Sequence, residues 1–170
     1  MLAPNVCEDQ RKDPQARRNM FTNILLAVDG SELSLRAARH GIELAAASGA
    51  RVTVVTVTIP WAAYFSREPA AVVPDAIVPQ TAYELKREAV ADRLLQNVVA
   101  EARRAGVAAK SVHRSQRDPY RAIIDIAQQE HCDLIVMGSH GHRGITGALL
   151  GSETMKVLTH TDIPVLVYRH

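Results

Sequence analysis

Between Met137 and Thr154 the chain reads MGSHGHRGITGALLGSET, in which Gly138, Gly141, Gly151 and Ser152 are spaced Gly-x2-Gly-x9-Gly-Ser. Glycine has no Cβ, so main-chain N–H groups near 138 and 141 can approach an anion, and Gly151-Ser152 stands where a helix start would present unpaired donors. The chemistry that suits this pattern is a phosphate cradle. A P-loop would need Gly-x4-Gly-Lys-Ser/Thr, and no lysine lies between Met137 and Glu153. A dinucleotide fingerprint would place Gly-x-Gly-x-x-Gly after the first strand, where only Asp29-Gly30-Ser31 occurs. A lone Gly-x-x-Gly marks no more than a β-to-α loop. The whole spacing is what favours the cradle.

The spacing, closed by its serine, resembles the ATP signature of the nucleotide-binding branch of the universal stress proteins. AVDGS at 27–31, DLIVMGSHG at 133–141 and PVLVYR at 164–169 extend the likeness from about Phe21 to Arg169. The resemblance implies ATP or ADP, alone or with Mg2+. It assigns the Ala27 main chain and Asp29 to the adenosine part and Val57 to the adenine pocket. Along the triphosphate it places Met137, Gly138, His140, Gly141 and Arg143 on one side and Gly151, Ser152, Glu153 and Thr154 on the other. Several of these residues have a second reading. Asp29 is also a favoured type for capping the helix that follows it, and His140 and Arg143 would serve equally as loop surface. Arg143 offers a charge-assisted phosphate contact, whereas Glu153 would repel a phosphate unless its side chain is turned away. Arg117 departs from the glycine that many relatives carry before the Asp-Pro pair, which leaves the shape of that loop open.

Strands alternating with helices are expected to position these residues. Asn23–Val28 is a short apolar run fit for a buried first strand. A first helix then places Leu35, Ala38, Ile42 and Ala45 inward and Arg36, Arg39, His40 and Glu43 outward, and Gly49 stops it. Arg51–Ile59 is rich in β-branched residues and predicts a second strand closed by Pro60. From 60 to 80 four prolines with Trp61, Tyr64 and Phe65 predict a long irregular loop. Tyr83–Ala105 is helical, with Ala91, Leu94, Val98, Ala102 and Ala105 on one face. Lys110–Arg114 reads as an edge strand, and Asp118-Pro119 as the cap and first residue of a further helix. Asp133–Met137 is the central fourth strand delivering Gly138. A last helix from Ser152 to about His160, anchored by Met155 and Leu158, leads to a fifth strand over Pro164–Tyr168.

Five strands joined by helices predict an α/β fold with a parallel, doubly wound sheet, Rossmann-like or flavodoxin-like, in the order 3-2-1-4-5. In that order the connections after strands 1 and 4 leave on opposite faces and open a crevice at the carboxyl ends of the strands. Asp29 and Gly138 both border it. Topology and the glycine motif thus locate a ligand independently in the same place.

The 170 residues suit one domain, here 21–170, preceded by a tail over 1–20 of mixed charge and no hydrophobic period that is expected to be disordered. Apolar residues are 47% and aromatic residues 4% of the chain, which predicts a core of Ala, Val, Ile and Leu. A net charge of +2 makes no case for nucleic acid. Cys7 and Cys132 have no zinc or CxxC spacing and read as structural thiols. The absence of an 18-residue apolar run or a signal-like segment points to a cytoplasmic protein with no membrane partner. Val165–Tyr168, an apolar edge with little charge to protect it, points to a homodimer, as the resemblance also does.

Three functions are in play. The first is an ATP-binding regulator of the stress response, with slow ATPase activity left open because no catalytic constellation surrounds the phosphates. The second is an adenine-nucleotide enzyme such as an ATP pyrophosphatase, whose Ser-Gly-Gly-x-Asp-Ser loop is not matched by VDGSELS. The third is a dimeric interaction module without nucleotide, against which the intact glycine spacing argues.

Overall fold

The computed structural model describes residues 20–65, 79–141 and 150–169. Five parallel strands, β1 (Asn23–Ala27), β2 (Arg51–Thr58), β3 (Ala109–Ser115), β4 (Leu134–Gly138) and β5 (Val165–Tyr168), form one sheet in the order β3-β2-β1-β4-β5, as the alternation predicts. The expected disordered tail falls almost wholly on residues 1–19, outside the described residues.

Alternation along the strands feeds two cores. Ile24, Leu26, Val52, Val54 and Val136 point to one face and meet helices α1 (Glu32–Ser48) and α3 (Gln80–Arg104). Leu25, Val55, Ile135 and Met137 point to the other and meet α4 (Pro119–Gln129) and α5 (Ser152–His160). The connection after β1 therefore leaves on one face and that after β4 on the other. The crevice between them lies at the carboxyl ends, where Ala27 is level with Val55 on one side and Met137 on the other.

Several expectations are corrected. The stretch after Pro60 opens with a short helix, α2 (Trp61–Phe65), rather than irregular loop; residues 66–78 lie outside the described residues. On α3, Leu95 and Val99 are buried while Ala105 is exposed, because the helix ends at Arg104 and Ala105 has already left its axis. Met155 and Leu158 do not anchor α5: they are 47% and 37% exposed, and the buried pair is Thr154 and Val157. On a short helix only one i, i+3 ridge can reach the sheet, and Thr154 takes that ridge by donating its hydroxyl to the Gly138 carbonyl at 3.0 Å.

α3 is longer than the sheet it covers. Its 25 residues span about 37 Å, whereas the eight of β2 span about 26 Å. Its carboxyl end is pinned at the foot of the sheet, where Val107 N–H donates to the Ala102 carbonyl and Ala109 pairs with Val52. The excess therefore stands above the carboxyl edge. Its buried residues accordingly begin only at Ala91.

Polar groups tie the foot together. Fully buried Asn23 donates its amide to the Glu130 carbonyl at 2.7 Å and accepts from the Thr53 hydroxyl at 3.2 Å. The Asp133 carboxylate accepts from Thr22 N–H and Oγ1, both at 2.7 Å, and from Asn23 N–H at 3.1 Å. Desolvation alone would raise its pKa, but these donors outweigh it and hold the carboxyl below its ordinary value. The stabilisation is therefore complete above the unfolded-chain pKa of about 3.9 and is lost as pH falls through the lower folded value. Asp133→Asn is expected to lower stability at pH 7 by on the order of 1 kcal/mol, discounted for exposure, and to flatten the acid limb of a urea-midpoint series. An unchanged acid limb would rule Asp133 out as its source. Cys132 is buried beside this network, and desolvation pushes its thiol up to about 11, the signature of an inert structural cysteine.

Candidate functional site

The turn after β1 is organised by side chains. Val28 N–H still bonds to the Val55 carbonyl at 2.9 Å, and Gly30 then adopts φ 86°, which favours glycine. Asp29 Oδ1 accepts from Ser31 N–H at 3.0 Å and from Ser31 Oγ at 2.6 Å. Ser31 Oγ in turn accepts from Ser34 N–H at 3.2 Å, which makes Ser31 the cap of α1. The capping alternative for Asp29 is thus corrected. Asp29 braces the cap and does not form it, since it lies two residues too early to reach the first-turn amides.

The turn after β4 faces it. Ser139 N–H donates to the Tyr168 carbonyl at 2.7 Å, and its own carbonyl accepts from Gly151 N–H at 2.7 Å. One buried residue thereby ties β4 to β5 and to the start of α5. A Cβ on Gly151 would stand 3.1 Å from the Ser139 carbonyl, and one on Gly138 would stand 3.2 Å from the His140 carbonyl. A Cβ on Gly141 would collide with Asp29 Oδ2. Gly138 and Gly151 are thus tightly placed within their own turn, and Gly141 meets the Asp29 side chain across the crevice. Among the described residues, left-handed φ occurs at Gly30, Gly49 and Gly106, with His131 the one non-glycine.

α5 starts at Ser152, with Gly151 in the capping position, so no side chain caps its first turn and Ser152 is its first residue rather than its cap. A nine-residue helix start of this kind presents main-chain donors and the positive end of a dipole. Glu153, which would oppose an anion there, is engaged elsewhere. One carboxylate oxygen accepts from Tyr120 N–H at 3.0 Å in the first turn of α4, and the other pairs with Lys156 at 2.8 Å. Asp118 holds the capping position of α4 with extended backbone but makes no side-chain cap bond. Glu153 supplies that acceptor from the neighbouring helix.

These turns enclose a cavity of about 470 Å³ at the carboxyl edge of the sheet, within the range of small-molecule sites. Its lining includes Ala27, Asp29, Val57, Met137, Gly138, His140, Gly141, Gly151, Ser152, Glu153 and Thr154. Arg143 lies outside the described residues. The glycines and the α5 start converge on one side of the cavity, and the side at the end of β2 is lined by Val55, Val57, Ile59, Leu94 and Ile123 with the threonines of β2 between them. That arrangement suits a ligand with an anionic end and a flat apolar body. Among the described residues no group of three or more His, Cys, Asp or Glu side chains could hold a metal ion.

Sequence reasoning missed part of the wall. Thr56 and Thr58 extend β2 into it, Ser34 and Pro119 stand at two helix starts, and Arg87 reaches it from α3. A signal for Arg87 was present: it precedes Ala91 and Leu94 by four and seven residues, on the same helical stripe.

Comparison with known proteins gives a consistent picture. The family model described as the universal stress protein family matches residues 20–169. The chain is similar to universal stress protein YxiE of Bacillus subtilis, 30% identical over 88% of this chain and 100% of that one. It is also similar to a Thermus aquaticus universal stress protein, 37% identical over 88% of this chain and 100% of that one. The solved structure of protein MJ0577 of Methanocaldococcus jannaschii superposes with a TM-score of 0.75, 25% identical, over 89% of this chain and 97% of that chain.

Proposed function

The chain belongs to the universal stress protein family, and from that premise we propose that it is an ATP-binding regulator holding ATP or ADP across the crevice between β1 and β4. The observation that carries this reading is the Gly141 contact. The Asp29 carboxylate of the β1 turn reaches to where a Cβ on Gly141 of the β4 turn would stand, and the glycine turn and the α5 start line the same cavity. The triphosphate takes the polar end against Gly138, Gly141 and the first turn of α5. The adenine takes the apolar end beside Val57. Glu153 lines the cavity but has its carboxylate engaged by the Tyr120 N–H and Lys156, which lessens its repulsion of the phosphates. Mg2+, where present, would be held by the phosphates and water more than by the protein, in keeping with the lack of a carboxylate cluster among the described residues.

Mass spectrometry of small molecules released from the purified, heat-denatured protein tests the reading. ATP or ADP at near-stoichiometric yield is expected. A nucleotide-free protein that also gives no heat on titration with ATP would leave the interaction-module reading in its place.

Assembly as a homodimer through β5 belongs to the same proposal, as does a cytoplasmic setting. β5 is an outer strand with Leu166 39% exposed, and α5 beside it in sequence leaves Met155 and Leu158 uncovered. No helix among the described residues is long and apolar enough to cross a membrane. Sedimentation at roughly micromolar concentration is expected to give the mass of two chains, the scale at which a standard interface holds. A single-chain mass there would count against it.

A further inference from the structure

The part of α3 that stands above the sheet contributes one cation to the cavity wall, Arg87. Among the described residues it has no carboxylate partner, unlike Arg36 and Arg39, whose partners are Glu32 and Glu101. Its recorded contact is aromatic: the guanidinium lies 5.7 Å from the centre of the Tyr83 ring, one helical turn earlier. On the same stripe Val90, Ala91 and Leu94 continue the wall as apolar surface.

Position in the sheet decides which end of a ligand Arg87 can meet. α3 packs on β2 and β3, whereas the glycine turn follows β4. β1 lies between β2 and β4, so these two strands are about 10 Å apart at about 4.8 Å per step. Arg87 therefore stands at the β2 end of the cavity wall, which Val57 and Ile59 also line, and away from the glycine turn. That is the end where the flat apolar part of the ligand is placed.

A guanidinium within cation–π distance of one ring, on a wall that continues through Val90, Ala91 and Leu94, is suited to stacking on a second π-system. We infer that Arg87 is a base-reading residue: it stacks on the purine of the bound nucleotide, completing a Tyr83–Arg87–base ladder, and gives the site its preference for large bases. The inference rests on the proposed nucleotide reading of the cavity. A phosphate-binding role is the competing one, and the two differ in what they require. Stacking needs the base and the planar group, while phosphate binding needs only the charge.

The test is calorimetric titration of the full chain, Arg87→Ala and Arg87→Lys with ATP, CTP and inorganic tripolyphosphate. Arg87→Ala is expected to weaken ATP binding about tenfold, the order of a partly desolvated cation–π contact. CTP should weaken less, tripolyphosphate should stay within about twofold of the parent, and Arg87→Lys should recover little of the loss. Tripolyphosphate weakening in parallel with ATP, or full recovery by lysine, would overturn the stacking role in favour of charge. ATP binding unchanged by Arg87→Ala would overturn any role for Arg87 while leaving the nucleotide reading intact. A parent chain that binds no nucleotide would overturn both.

Discussion

Gly141→Val is expected to lower ATP affinity by at least about 100-fold, some 2.7 kcal/mol, with little change in the thermal midpoint. A Cβ at 141 meets Asp29 Oδ2 directly, so a branched side chain displaces the Asp29 carboxylate and fills the space where the phosphates are proposed to lie. Gly141 does not occupy left-handed φ, so the damage comes from crowding and not from backbone strain. The residue is exposed and lies outside both cores, which is why the fold should survive. Ser152→Ala should be far milder, about fivefold, because it removes one hydroxyl from an exposed first-turn residue and leaves the α5 main-chain donors in place. Titration of both variants with ATP, beside circular-dichroism melts, reads the order of severity. The reverse order would mean that the glycine turn is not the phosphate site.

Gly41→Val should act the other way round, on stability rather than on the ligand. Gly41 sits in the middle of α1 against β1 and β4, and an added Cβ would collide with Leu26 Cδ2 and stand 3.5 Å from Val136 Cγ1. The end of a leucine can usually swing aside, but Leu26 is completely buried, and branched Val136 has little freedom to yield. Overpacking of this kind costs about 3 kcal/mol, or roughly 6–12 °C of thermal midpoint for a chain of this size. Gly41→Ala should cost less, because about 1 kcal/mol of helix propensity offsets part of the clash. Melting curves of the two variants measure the difference. A valine variant as stable as the parent would show that the α1–sheet contact is looser than its geometry.

What could be read from residue order was what depends on local pattern. β-branched runs such as RVTVVTVT, glycine stops such as Gly49 and the start of α5 at Ser152 appear in the structure where the periodicity put them. The strand order followed from alternation and handedness, and it brought Asp29 and Gly138 to one crevice without any long-range information. What escaped depends on pairs distant in sequence. Nothing in the spacing of Asp118-Pro119 says that a carboxylate at 153 will bond the Tyr120 amide in its place. Met155 and Leu158 look like anchors by hydrophobicity, yet a helix near an outer strand buries only the ridge that faces the sheet, and there Thr154 had a carbonyl to satisfy. The stripe that joins Arg87 to Ala91 and Leu94 was legible, but that its upper end becomes cavity wall was not, because the overhang of α3 depends on comparing its length with that of β2.

The interior position of β1 also sets a timetable. Its pairing with β2 needs only the helix between them, but its other neighbour is β4, and the bond from Thr22 N–H to Asp133 that closes the foot of this pair spans 111 residues. At about 5–20 residues per second, the ribosome takes roughly 6–22 s to deliver that partner after the first strand has emerged. Through that interval one flank of β1 has no strand beside it, and the hydrogen-bonding groups along it are open to any other extended chain. Contacts of such separation form late and slow the search. For this chain, then, the hazardous period is the wait for its fourth strand, and conditions that stall synthesis between β3 and β4 should favour aggregation more than those that stall it after β5.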